Sequence, residues 1–120
     1  MVKKLPDLPD DVLGFTAIGR VTAIDYAFII IPAVEAMFSR QRKVRLLYHL
    51  GADFSGIEAA AVWADVRLGM KHLTGWERIA VISDVGWIRW TVTLFGLAMP
   101  GRVRVFRNRD LAEAKRWIKE

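Results

Sequence analysis

Apolar and polar positions along the chain switch between two periods, and the switches mark the elements. Residues 2–5 read as a short strand, after which Pro6, Asp7, Pro9 and Asp10 form turns. Val12 to Arg20 alternates, with Leu13, Phe15 and Ala17 on one face and Val12, Thr16 and Ile18 on the other. The two pieces predict an initial antiparallel hairpin. Thr22 followed by Asp25 has the form of a capping box, and a helix is expected from Ala23 to about Arg40. Tyr26 to Val34 carries no charge, and Ile29-Ile30-Ile31 is apolar all the way round, so this helix is expected to be buried on more than one side. Pro32 lies inside it and predicts a kink, or two short helices meeting at Ile31-Pro32.

Val44 to Leu50 is a near-continuous apolar run, as for a central strand covered on both faces. The turn Gly51-Ala52-Asp53-Phe54-Ser55-Gly56 follows, and then a helix from Gly56 or Ile57 to Lys71 or His72. Ser55 is read as its N-cap, with Glu58 completing a capping box. Ile57, Ala61, Ala64 and Leu68 recur at helical spacing as a small-residue face, and Glu58, Asp65 and His72 share a stripe read as the solvent side. A strand is expected at Arg78–Ser83 and a helix from Trp87 to about Leu97, whose Trp87, Trp90, Leu94 and Phe95 are read as one broad face. Arg102–Phe106 alternates Arg and Val and is placed near a sheet edge. Asn108 or Asp110 caps a last helix with Leu111, Ala114, Trp117 and Ile118 on one stripe. The order predicts one domain over residues 1–120: an α/β sandwich with a mostly parallel sheet, an initial hairpin and four helices.

Composition narrows the chemistry. The chain has 120 residues, 53% hydrophobic, enough for one core. It has no cysteine, which excludes disulfides, thiol catalysis and thiolate metal sites. His49 and His72 alone do not make a metal-ligand set, so no metal and no cofactor is expected. The basic start runs into Pro6-Asp7-Leu8-Pro9 without an apolar core, and no run approaches a membrane-spanning length; a cytoplasmic protein is expected. The net charge is +5, and Arg and Lys crowd the end from Arg102 to Lys119. Such a charge run can attract phosphate on nucleic acid or lipid, but it reads first as a solvated edge strand and terminal helix.

No catalytic constellation stands out. The Gly51–Gly56 turn lacks the glycine spacing and lysine of nucleotide loops. No nucleophile elbow surrounds Ser55 or Ser83. Asp53 and Asp84 both follow strands; two carboxylates at that edge could bind a cation or act as an acid–base pair, and they could equally be turn formers, the commoner outcome. Five tryptophans and two nearly uncharged helices amount to more apolar surface than a small domain needs. Beyond ordinary core, that surplus points to an apolar ligand cavity, a dimer interface or a face that dips into a membrane surface.

Several segments carry a family resemblance: Leu8-Pro9-Asp10-Asp11-Val12-Leu13-Gly14-Phe15, Lys43-Val44-Arg45-Leu46-Leu47-Tyr48, Gly51-Ala52-Asp53-Phe54-Ser55-Gly56, Leu68-Gly69-Met70-Lys71-His72, Trp76-Glu77-Arg78-Ile79-Ala80-Val81 and Met99-Pro100-Gly101 with Val103-Arg104-Val105-Phe106. Over nearly its whole length the chain resembles the SpoIIAA-like family of small bacterial proteins, within the wider STAS fold. The resemblance implies a STAS-type β/α fold, a likeness to CRAL-TRIO lipid-binding domains, and no established enzyme activity. Anti-sigma-factor antagonists of that fold carry Asp-Ser-Ser-Gly-Leu at the start of a helix, with the first Ser phosphorylated. The matching residues here are Asp53-Phe54-Ser55-Gly56-Ile57, so the acceptor position is Phe54 and a phosphorylation switch is not expected.

Two functions follow as expectations. The first is a non-enzymatic binding module for an apolar or lipid-like small molecule, its cavity lined from Tyr26, Ile30, Tyr48, Phe54, Trp63, Trp87 and Trp90. The second is a regulatory protein–protein module, acting as a homodimer through the loop of Gly51, Asp53, Phe54, Ser55 and Gly56. Nucleic-acid or peripheral membrane binding through the Arg-rich end ranks last, because those arginines alternate as an edge strand would.

Overall fold

The strand register organises the molecule. The computed structural model describes residues 1–120. Strands β1 (Val2–Lys4), β2 (Val12–Ala17), β4 (Val44–Leu50), β6 (Trp76–Ser83) and β7 (Arg102–Phe106) form one five-stranded sheet in the order β1-β2-β4-β6-β7. Only β1 is antiparallel, paired with β2 from Val2 opposite Ala17 to Lys4 opposite Phe15. The other neighbours are parallel. The expected hairpin is present, and β7 is an edge strand.

Side chains alternate across a strand, so register sorts them into rows. Leu46, Ile79 and Val103 lie side by side on one face, as do Phe15, Tyr48 and Val81. Leu47 and Ala80 occupy the opposite face, with Ile82 and Phe106. That second face is covered by α5 (Leu111–Lys119) through Ala114, Trp117 and Ile118, making a core of its own. Arg78 and Arg45 donate to the last carbonyls of α5, at Trp117 (2.8 Å) and Ile118 (3.0 Å). Arg104 lies over the Phe106 and Trp117 rings. Part of the basic charge is therefore engaged in holding α5 down.

The first face carries the larger core and three helices. The first of these begins as α1 (Ala23–Asp25), passes through a π-helical turn (Tyr26–Ile30) and continues as α2 (Ile31–Arg40). Its capping box is formed, Asp25 N–H donating to Thr22 Oγ1 and Thr22 N–H to Asp25 Oδ2. The irregularity expected at Pro32 falls one turn earlier: proline has no N–H to donate back into the preceding turn, and the wide turn takes up the mismatch just before it. Tyr26 and Ile30, at its two ends, both point inward and are buried.

The Gly51–Gly56 segment departs from expectation. Phe54–Ile57 is a strand, β5, pairing in parallel with β3 (Gly19–Val21) in a separate two-stranded sheet. Gly19 permits the break between β2 and β3 with φ of 63°, a conformation that favours glycine. Ser55 is consequently not an N-cap. Helix α3 (Ala59–Lys71) starts after Glu58, which makes no side-chain cap to it. Glu58 Oε1 instead accepts from Ala23 N–H (3.3 Å), capping α1 across the gap. The stripe of Glu58, Asp65 and His72 is not simply solvent-facing either. His72 stacks on Phe38 at 4.0 Å and binds Glu35 Oε1 at 2.6 Å, tying α3 to α2.

Helix α4 (Gly86–Ala98) also turns a different face inward. Ile88, Val92 and Phe95 meet the core, while Trp87, Trp90, Leu94 and Leu97 are 55%, 68%, 46% and 82% exposed. Gly96 lets α4 approach β7 closely, since a Cβ there would lie 2.9 Å from Val103 Cβ. No helix of the chain is long and apolar enough to cross a membrane.

Candidate functional site

The row of Leu46, Ile79 and Val103 and the row of Phe15, Tyr48 and Val81 form the floor of a cavity of about 150 Å³. Ile30 and Val34 wall it from the first helix, Leu68 and Gly69 from α3, and Val92 and Phe95 from α4. Thirteen of its 16 lining residues are hydrophobic. Gly69 keeps the α3–α4 junction tight: a Cβ there would sit 3.4 Å from Phe95. Asp65, Val66 and Thr91 line the cavity and are also exposed, so they mark its mouth.

One polar cluster interrupts the apolar wall. Tyr26 Oη donates to Asp65 Oδ1 at 2.8 Å and lies 3.4 Å from Tyr48 Oη. Burial drives both phenols well above the usual tyrosine range, and the neighbouring Asp65 charge adds to this, so both stay protonated. Crowding by protein likewise raises the Asp65 carboxyl, against the opposing pull of the Tyr26 hydrogen bond. Asp65 as a residue still has a path to water at the mouth. Its carboxyl is hemmed in rather than sealed, and the direction of the shift follows from that crowding.

The residues proposed for the cavity separate into two groups. Ile30 and Tyr48 line it, and Tyr26 stands behind the wall with its hydroxyl reaching Tyr48 and Asp65. Phe54 is half-buried on β5, packed against the core away from the cavity. Trp63, Trp87 and Trp90 are 66%, 55% and 68% exposed and do not line it. Periodicity put them on common helix faces without saying what those faces meet. Asp65, Phe95 and Val103 went unrecognised as lining residues. Phe95 and Val103 had legible signals, as part of an apolar helix face and as the apolar phase of the Arg-Val-Arg-Val alternation.

The Gly51–Gly56 loop is closed by Phe54 N–H donating to Gly51 O at 3.1 Å and by Gly19 N–H donating to Asp53 O at 2.7 Å. Asp53 and Ser55 are exposed, and Phe54 faces the core. At the carboxyl end of β6, Asp84 Oδ1 accepts from Asn108 N–H (3.0 Å), a turn-bracing role. His49 bonds Thr16 Oγ1 through Nδ1 at 3.2 Å; burial, helped by nearby Lys115, lowers its pKa.

Comparison with known proteins agrees with this architecture. No curated protein matches the chain. Among solved structures, an uncharacterized protein of the DUF3478 family with a SpoIIAA-like fold, from Shewanella loihica PV-4, is similar at 24% identity with a TM-score of 0.74. The match covers 98% of this chain and 93% of that one, and it is a likeness of fold. The SpoIIAA-like family model matches residues 12–119, from the first residue of β2 to the last of α5. The chain belongs to the SpoIIAA-like family.

Proposed function

We propose that this protein is a non-enzymatic binding module for an apolar small molecule, held between the sheet and the helices that cover its first face. One observation carries the reading: an open cavity of about 150 Å³ with an almost wholly apolar lining. Apolar walls that open to water at a mouth gain free energy when an apolar guest takes that water's place. Engineered apolar cavities of roughly this volume take up benzene. A ring, or the end of a lipid-like chain, would fill this one in the same way. Native mass spectrometry of protein purified from cell extract tests the reading. A co-purified species released on denaturation is expected, and a clean apo mass that benzene-sized additives leave unchanged contradicts it.

A second reading, a protein–protein module working as a homodimer, rests on a different observation. Trp87, Trp90, Leu94 and Leu97 form an exposed apolar row on α4. Aromatic residues in such rows are enriched at interfaces. Sedimentation across a concentration series checks it. A dimer that Trp90→Ser with Leu97→Ser converts to monomer supports it, and a monomer at all concentrations removes it. The Gly51–Gly56 loop supports this reading less, because Phe54 is spent on the core.

A further inference from the structure

The cavity is apolar almost throughout, yet its few polar atoms share one property that follows from counting protons. Tyr26 has a single hydroxyl proton, and Asp65 Oδ1 takes it at 2.8 Å. Tyr26 Oη then has only lone pairs to offer across the 3.4 Å contact, so Tyr48 is the donor there. The Tyr26 proton is thereby committed, and the Tyr48 proton is turned toward Tyr26 across a long contact. Thr91, at the mouth, donates its own proton to Trp87 O at 2.7 Å within α4. What Tyr48, Thr91 and Asp65 can still present to a guest is lone pairs, together with the second carboxylate oxygen of Asp65. No lysine, arginine or histidine lines the cavity, and Asp65 takes part in no ion pair.

We propose that the cavity selects apolar molecules that end in a hydrogen-bond donor, such as an alcohol, and discriminates against carboxylates of the same shape. The donor sits at the mouth against Asp65, and the apolar body reaches inward over Leu46, Ile79 and Val81. This rests on the cavity being a binding site, as argued above, and adds the chemistry that the site recognises. The asymmetry is physical. Where Asp65 is ionised, a donor meets a charged acceptor, which makes a stronger hydrogen bond than a neutral pair does. A carboxylate meets no cation in the cavity and, where Asp65 is ionised, a like charge at its mouth, so its desolvation goes unanswered. A fatty acid entering head-first is thus disfavoured, and an alcohol of equal size is favoured.

The test is a nuclear magnetic resonance titration of the wild-type protein at neutral pH with three ring compounds of similar size: benzyl alcohol, toluene and benzoate. Benzyl alcohol is expected to bind more tightly than toluene by about tenfold, the usual scale for a hydrogen bond to a charged group. Benzoate is expected to bind more weakly than either. In Asp65→Asn, the amide supplies donors of its own while its oxygen keeps the Tyr26 hydrogen bond. There the preference for benzyl alcohol should shrink and benzoate should gain. Toluene binding as tightly as benzyl alcohol overturns the inference while leaving the cavity reading intact, as does benzoate binding as tightly as the alcohol. Absence of binding by all three overturns both. The wild-type series decides the matter even if the variant does not fold.

Discussion

Tyr26 Oη donates to Asp65 Oδ1 across 2.8 Å, joining the π-helical turn of the first helix to the middle of α3. The tyrosine is fully buried and the aspartate stands at the mouth of the cavity. Removing the phenolic oxygen leaves the carboxylate without its protein partner. Tyr26→Phe is therefore expected to lower stability by about 1 kcal/mol, toward the low end of the range because water can reach Asp65. Tyr48→Phe removes only the 3.4 Å contact and should cost less. Urea unfolding of both variants checks the order, and the reverse order would mean that the protons are arranged otherwise.

The carboxylates divide by the sign of their shifts. Asp65 is raised above its ordinary value of 3.8, chiefly by burial, so the folded state holds that proton more tightly than the unfolded chain does. Its ionisation opposes folding: stability contributed below pH 3.8 is lost as pH rises through the folded pKa. Asp25 and Glu35 behave oppositely. Asp25 is lowered by hydrogen bonds from Thr22 and by the N-terminal amine, which together outweigh its burial; Glu35 is lowered first by the hydrogen bond from His72 and then by Lys71. Their contributions are present above the ordinary carboxylate range and are lost as pH falls through the folded values. Asp65→Asn should thus gain on the wild type as pH rises from about 4 to neutrality. Denaturant melts of both proteins across that window measure it, and a constant difference would show that Asp65 titrates normally.

Two tryptophans separate core from surface. Trp76 is 3% exposed, stands edge-on to Phe38 and lines the cavity. Trp90 is 68% exposed. Trp76→Ala is expected to cost about 3–5 kcal/mol, as large core truncations do. Trp90→Ala should stay within about 0.5 kcal/mol. Thermal or denaturant melts of both variants distinguish them. A large loss at Trp90 would instead mark it as buried in an assembly.

Protonation of His49 is expected to destabilise the fold, because burial lowers its pKa below 6.5 and Lys115 adds to this. The neutral ring is favoured in the folded state, so stability should fall as pH drops through 6.5 toward the lowered value. His49→Gln should abolish that part of the pH dependence. An unchanged profile in the variant would assign it to another group.

Much of the sheet was legible because its residues obey one rule each. Val44–Leu50 is apolar on both faces because both faces are covered, and Arg102–Phe106 alternates because β7 is an edge with arginines toward α5. The β5 strand was not legible, since Phe54–Ile57 is extended only through its partner β3, more than 30 residues earlier. Ser55 and Glu58 matched a capping box, but tertiary pairing delayed the helix and turned Glu58 toward Ala23. Asp65 is exposed, as its spacing with Glu58 and His72 implies, but its carboxyl also reaches inward to Tyr26. A helix wedged between sheet and cleft has two inward sides, and spacing alone cannot choose between them. Trp87 and Trp90 miss the cavity for the converse reason: size suggested a pocket, but Ile88, Val92 and Phe95 fill the inward face of α4.

The central claim is that the space between the sheet, α3 and α4 receives an apolar molecule. Val92 lines it from α4 and is only half-buried, so Val92→Phe can fill the space with little strain. The most direct measurement is a titration with benzyl alcohol, following backbone amide shifts in the wild type and in Val92→Phe. The account predicts saturable shifts centred on Leu68, Val81 and Phe95 in the wild type, and their loss in a variant whose stability is equal or higher. Equal binding by both proteins, or shifts confined to the exposed row of Trp87, Trp90 and Leu97, would contradict it.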